Sequence, residues 1–254
     1  MIGGRDSEVN WLSERYFKSE GLIIKTRTIG ESDRIVTLLT KENGKFEAVA
    51  RGARKTKSKL AAGVDIFGHG IFSFYRGRTW PIITGLEPGE KFNWFRDNPD
   101  LYPYGLYFAE LTDRFVSGEE ACPELFQLLL GGWKLLGGDV DHNLLCRAFE
   151  LKMASCGGYC PQFNCCTICG SEYNLLFSSR QGGLVCAGCK SADAVKIKPG
   201  TLALARRLIS APLAQVTRLR ADLFQKKELS SLNAAFYAYH LDLGEIKTRR
   251  LLPE

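Results

Sequence analysis

The chain has 254 residues, 45% of them hydrophobic and 24% charged, with a formal net charge of +6. That much apolar material supplies a core and excludes a largely disordered chain, while the mild basic bias suits a polyanionic partner. The longest apolar run, near "LLLGGW", is far too short to cross a bilayer, and the opening segment lacks an apolar leader, so a cytoplasmic protein without a membrane partner is expected.

Residues 1–20 read as an N-terminal extension, with a short helix around "VNWLSERYF" or no fixed structure. Residues 21–90 have a β texture. "GLIIKTRTI" and "DRIVTLLT" are β-branched runs joined by the turn signal "GESD"; "KENG" turns the chain into "KFEAVARGA"; "DIFGHGIFSFYRG" and "RTWPIITGLEP" complete five short strands. A small barrel leaves the fewest free edges, and the OB-fold is its five-stranded form. Between the third and fourth strands lies "RGARKTKSK", with five cations (Arg51, Arg54, Lys55, Lys57, Lys59), no acid and nothing that can build a core.

From residue 91 the period changes. Leu101, Tyr104, Phe108, Leu111 and Phe115 recur at three- and four-residue steps, which predicts an amphipathic helix. "PELFQLLLGGWKLL" opens with proline and stops at "GGD"; "HNLLCRAFELKMASCGG" is a third helix ended by a glycine pair. These form the first part of a helical domain, residues 91–158. Residues 159–194 are a cysteine-rich insert. Two more helices, in "PGTLALARRLISA" and "KKELSSLNAAFYAYHLDL", complete the domain over residues 195–254.

Seven of nine cysteines fall between Cys156 and Cys189. In the reducing cytoplasm such a cluster reads as a metal site rather than a disulfide framework. Cys166-Thr-Ile-Cys169 and Cys186-Ala-Gly-Cys189 are C-x2-C pairs sixteen residues apart. Each turn aims two thiolates at one point, and the intervening "SEYNLLFSSRQGGLV" reads as a hairpin that returns the second pair beside the first. Four thiolates make a closed, structural zinc site, one ion per chain. Cys156, Cys160 and Cys165 are spare, and Cys165 is an alternative to Cys166. Cys122 and Cys146 are expected on helix faces in the core.

The five loop cations repel one another, and a polyanion would relieve that repulsion. Lys25, Arg27 and Arg34 sit on predicted strands of the same barrel, where Phe46, Phe74, Tyr75 and Trp80 are candidates for base stacking, the last two foremost. A second basic set comprises Arg206, Arg207, Arg218, Arg220, Lys226 and Lys227 against a single acid, Asp222; it reads as an extension of a DNA track, a receptor for an acidic tail or a solvated face. Lys247, Arg249 and Arg250, offset by Glu245 and Glu254, read as ordinary surface. No phosphate loop, H-E-x-x-H or G-x-S-x-G motif is present, so an enzyme is not expected. Asp139, Asp141 and His142 open a predicted helix and read as its cap; His69 and His240 are isolated.

"EGLIIKTRTIGESDRIVTLLTKENGKFEAVARGARKTKSK" resembles the opening domain of the bacterial recombination mediator family RecO. The pattern is carried by Gly30, Glu31, Asp33, Arg34, Ile35, Val36, Thr37 and Leu38, then Gly44 and Lys45, then Val49 to Lys55; "FYRGR" and the helical half with its C-x2-C-G insert fit as well. The likeness spans roughly residues 20–250. It implies an N-terminal OB-fold, a helical domain and a zinc module. It also implies binding of single- and double-stranded DNA, annealing of complementary strands, contact with RecR and with single-stranded DNA-binding protein, and help in loading RecA, all without enzymatic activity. A protein-interaction adaptor whose basic patches meet acidic protein tails is the alternative reading.

Overall fold

The computed structural model describes residues 15–241 and 246–253, except 57, 59, 62 and 119. Two compact units emerge, one from residues 1–91 with 116–123, the other from 92–115 with 124–254.

The first unit is a closed five-stranded barrel of OB type. Its strands are β1 (Tyr16–Ile29), β2 (Asp33–Thr40), β3 (Gly44–Ala50), β4 (His69–Tyr75) and β5 (Ile82–Pro88), and around the barrel the order is β1-β2-β3-β5-β4. Short turns link the first three strands, with Gly44 taking φ +64°, a left-handed value that favours glycine. Alternation along β3 sends Phe46, Ala48 and Ala50 inward against Ile23, Val36, Leu38, Phe72, Phe74 and Ile83. Phe74 stacks on Phe17 with centroids 4.9 Å apart and meets Phe46 edge-on at 5.2 Å. The seam between β3 and β5 is thin: Val49 faces Ile82, and Val49 N–H donates to the Pro81 carbonyl at 2.8 Å.

Two boundaries differ from the sequence reading. β1 begins at Tyr16, because Tyr16–Leu22 pair with β4 from Tyr75 back to His69. Tyr16 and Phe17, the end of the helix expected in "VNWLSERYF", are therefore strand, and Arg15 before them is a bend; residues 9–14 of that stretch lie outside the described residues. Residues 116–123, assigned to the helical domain from sequence, group with the barrel. The helical period ends there, and the Gly118 carbonyl accepts from Lys45 N–H at 3.0 Å.

The second unit is helical: α1 (Trp94–Asp97), α2 (Tyr102–Phe115), α3 (Pro123–Leu136), α4 (His142–Cys156), α5 (Pro199–Ser210) and α6 (Leu223–His240). Phe108 of α2 and Phe149 of α4 stack 4.0 Å apart, and a Cβ on Gly132 of α3 would lie 3.0 Å from the Phe108 ring. Asp141 caps α4 by accepting from Leu144 N–H at 3.0 Å; Asp222 and Gln225 form a capping box on α6. Cys146 is buried in the core as expected. Cys122 is half-buried and precedes α3 rather than lying on a helix.

The centre of this unit is polar. Glu150, with no exposure, accepts from Tyr107 Oη, from Arg147 Nη2 at 2.9 Å and from Asn233 Nδ2 at 2.7 Å. Removing one partner of a buried ion pair strands the other, at a cost of about 3–5 kcal/mol. Glu150→Gln is therefore expected to lower unfolding stability by about that amount in a urea titration. Joint replacement of Arg147 and Glu150 by methionine is expected to recover most of it, since no charge is then left unpaired.

Candidate nucleic-acid interface and metal centre

The basic loop is the connection between β3 and β4, and it is less free than its composition suggests. Ala53 is 2% exposed and, with Val64 and the partly buried Leu60, plugs the barrel interior. This corrects the expectation that the loop contributes nothing to a core: its small apolar residues turn in while its cations turn out. Gly52, at φ +62°, donates its N–H to Asp33 Oδ1 at 2.7 Å, and Arg54 N–H donates to the Ser32 carbonyl at 2.9 Å. Asp33 is also the acid the loop itself lacks. Its pKa is held below the usual carboxylate range by the Gly52 N–H, then by the Ser32 hydroxyl, with the charges of Arg51 and Lys55 assisting.

Arg51, Arg54 and Lys55 are exposed. Arg54 Nη1 donates to the Glu31 carbonyl at 3.0 Å, fixing one arm of its guanidinium. Lys57 and Lys59 lie outside the described residues. The strand cations divide. Lys25 is exposed. Arg27 bonds Glu47 at 2.9 Å, and its guanidinium carbon lies 5.7 Å from the centre of the Trp80 ring. Arg34 pairs with Asp65 at 3.0 Å and braces the far end of the loop. Phe46 and Phe74 are core residues and cannot stack on bases. Tyr75 and Trp80 are half-buried. Tyr75 meets Tyr16, which is 64% exposed, with ring centroids 5.1 Å apart. Sequence reasoning missed Tyr16 because it was counted within the extension.

The cysteine insert is a small three-stranded sheet of β6 (Leu175–Ser178), β7 (Gly183–Cys186) and β8 (Val195–Lys196), in the order β7-β6-β8. The expected hairpin is β6–β7, turning through residues 179–182. Phe163 and Phe177 stack 5.4 Å apart, and both are buried, as are Leu184 and Val185. Gly183, at φ +153°, lets the chain at Gln162 pass so close that a Cβ would lie 2.3 Å from its carbonyl oxygen. Asp193 accepts from Arg180 N–H at 3.0 Å, Ser191 Oγ at 2.6 Å and Ser178 Oγ at 2.9 Å. Burial raises its pKa, but these bonds outweigh it and bring the carboxyl down to about 2.

The sulfur atoms of Cys166, Cys169, Cys186 and Cys189 all lie within 4.8 Å of one another, with Cys169 and Cys186 3.6 Å apart. Tetrahedral thiolates at ~2.3 Å from one ion stand ~3.8 Å apart, so the four residues fit one metal ion. The local backbone prepares them. Gly170 N–H donates to the Cys166 carbonyl at 2.9 Å, and Cys189 N–H to the Cys186 carbonyl at 3.0 Å. The Cys169 N–H, directed at the Cys166 sulfur, is the main cause of a pKa lowered to about 6, whereas the neighbouring sulfurs of Cys169 and Cys186 push Cys189 up to about 12. A cation would remove that conflict by binding all four as thiolates. Cys165 stands outside the cluster, so Cys166 is the one grouped with the other three.

The second basic set does not form one surface of loose charges. Arg206 Nε donates to the Phe163 carbonyl at 2.6 Å, and its Nη2 to Asn164 at 3.3 Å, fastening the insert to α5. Arg207 reaches Gln215, and Arg220 turns back to the Thr217 and Leu219 carbonyls. Lys226 pairs with Asp141 at 2.8 Å. Arg218 is exposed. Neither histidine expected to be isolated is so: His69 meets Glu20 at 3.2 Å, and His240 donates to the Ser179 carbonyl at 2.6 Å. No helix among the described residues is long and apolar enough to cross a membrane.

Comparison with known proteins covers nearly the whole chain. A family model described as recombination protein O N terminal matches residues 15–92, and one described as recombination protein O C terminal matches residues 96–250. The first of these begins one residue before β1. The chain is similar to the protein named DNA repair protein RecO of Pelotomaculum thermopropionicum, 33% identical over 90% of each chain. It is likewise similar to its namesakes of Alkaliphilus metalliredigens, 32% identical over 89% of this chain and 94% of the relative, and Heliobacterium modesticaldum, 34% identical over 81% and 78%.

Proposed function

Because the chain belongs to the RecO family, we propose that it is a non-enzymatic, cytoplasmic DNA-binding protein of recombinational repair. On this reading it binds single- and double-stranded DNA, anneals complementary strands, and acts with RecR to load RecA onto strands coated by single-stranded DNA-binding protein. The observation that carries the DNA-binding step is the exposed cation set Arg51, Arg54 and Lys55, presented by a loop whose inner residues are fastened into a closed barrel. A fixed mount lowers the entropy lost when charges meet a phosphate backbone. Lys57 and Lys59 follow in the sequence of the same loop and are counted with the set, as are Lys25, Arg27 and Arg34 of the barrel strands. Tyr75, Trp80 and Tyr16 offer ring faces for bases. Arg206, Arg207, Arg218 and Arg220 are at most a secondary contact, since three of the four already bond within their own unit.

The metal is zinc, one ion per chain. All-sulfur ligation at tetrahedral spacing selects it over harder cations, and four protein ligands leave no open position for chemistry. The metal then holds an insert whose own core is a few side chains.

Fluorescence anisotropy of labelled single- and double-stranded oligonucleotides across a salt series tests the function. Binding without any partner protein is expected, with log affinity falling linearly in log salt concentration. Complementary strands are expected to pair faster in the presence of the protein, with no nucleotide or added divalent metal. Absent or salt-independent binding to naked DNA would sink this reading in favour of an adaptor for acidic protein tails.

A further inference from the structure

In the helical unit a cavity of about 350 Å³ opens among α4, α6 and the C-terminal turn Lys247–Leu251. Its lining includes Arg147, Lys226, Lys227, Ser230 and Arg249. Arg147 is 4% exposed. Its Nη2 is held by Glu150 at 2.9 Å, but its Nη1 is buried without a hydrogen-bond partner. A buried guanidinium arm left without an acceptor is costly, and a retained one calls for an acceptor supplied from outside. Arg249 closes the cavity from the C-terminal side. Its Nη2 donates to the Ser230 carbonyl at 2.6 Å and to Ser230 Oγ at 2.8 Å, neutral acceptors that leave its charge unmatched there. Lys226 adds a third cation, tied to Asp141 at 2.8 Å.

We propose that this cavity binds the phosphate group of a phosphomonoester, with Arg147 and Arg249 as its two guanidinium contacts. Two planar forks, one from α4 and one from the C-terminal turn, with Lys226 beside them on α6, suit a tetrahedral, doubly charged oxyanion better than a flat, singly charged carboxylate. The site is separate from the barrel loop and does not rest on the DNA reading above. Free phosphate, or the phosphorylated end of a nucleotide or DNA strand, carries the same chemistry.

The full chain is titrated with inorganic phosphate by calorimetry, with chloride as the ionic-strength control. One saturable site per chain is expected. Arg249→Gln is expected to weaken it about tenfold, the worth of one charge-assisted hydrogen bond. Arg147→Lys keeps a cation beside Glu150 while removing the Nη1 arm, and is expected to weaken binding similarly; it guards against loss of fold, checked by the unfolding midpoint in chloride. Oligonucleotides with and without a 5′-phosphate then separate the sources. A preference for the phosphorylated end that vanishes in Arg249→Gln identifies a strand terminus, and equal binding identifies a free phosphate compound. No saturable phosphate binding, or binding that neither variant alters, overturns the proposal.

Discussion

Alanine at Arg51, Arg54, Lys55, Lys57 and Lys59 together is expected to weaken single-stranded DNA binding by orders of magnitude at low salt, and to flatten the salt dependence. Each phosphate contact contributes roughly 0.7 to the slope on a single strand, so five contacts remove up to about 3.5. Arg54 spends one arm on the Glu31 carbonyl, which places the result toward the lower end of that range. The fold is expected to survive. Gly52 and Ala53, which carry the anchors to Asp33 and the core, are untouched, and the exposed cations contribute little to stability. The unfolding midpoint of the variant checks this. The loss is also expected to shrink as salt rises, because the lost term is counterion release. Equal affinity and equal slope in the two proteins would remove the loop from the DNA site and leave Lys25, Arg27 and the aromatic faces to account for any binding.

The second large effect concerns the cysteines. With Cys166 and Cys189 both replaced by serine, the purified chain is expected to hold essentially no zinc, where the parent is expected to hold one ion per chain. Structural zinc sites bind with apparent free energies of about 10–16 kcal/mol, most of it felt as folding energy of the surrounding segment. Few buried residues hold the insert without it: Phe163, Phe177, Leu184 and Val185 form its own core, and two further ties, Arg206 to Phe163 and His240 to Ser179, fix it from outside. Amide protection is therefore expected to collapse between Cys166 and Cys189 while α2, α3 and α4 keep theirs. Cys165→Ser is the control. Its sulfur lies outside the cluster, so that variant is expected to keep full metal content. Zinc retained after loss of Cys166 and Cys189 would break the four-cysteine assignment.

Much of this was legible from residue order. Local alternation exposed the five strands, the helical period exposed the helices, and the two C-x2-C turns placed four sulfurs at one point, because each of these signals operates over a few residues. What escaped depends on distant partners. The start of β1 was hidden because "YFKSE" gains its strand character only from β4, more than fifty residues later. Choosing between Cys165 and Cys166 required knowing which sulfur the turn rotates toward Cys186. Arg147 and Glu150 were not singled out from the sequence; their burial follows from Tyr107 and Asn233, which arrive on other helices. The loop cations were plain in the sequence, but the inward turn of Ala53 was not, since it stands between Gly52 and Arg54 in a run dominated by cations. The Arg206 to Lys227 set shows the converse: charge density alone could not reveal that Arg206 spends its donors on backbone carbonyls.

The thin seam of the barrel bears on how any protein partner can take hold. Peptides often dock by adding a strand to an exposed sheet edge, where main-chain bonds give affinity with little regard for side chains. Along β3 that route is obstructed at both ends, with Lys45 N–H committed to the Gly118 carbonyl and Val49 N–H to Pro81. The stretch between is too short for an added strand to register. Recognition along β3 must then read side chains and loops, so partner choice there rests on residue identity and is open to single substitutions rather than tolerant of them.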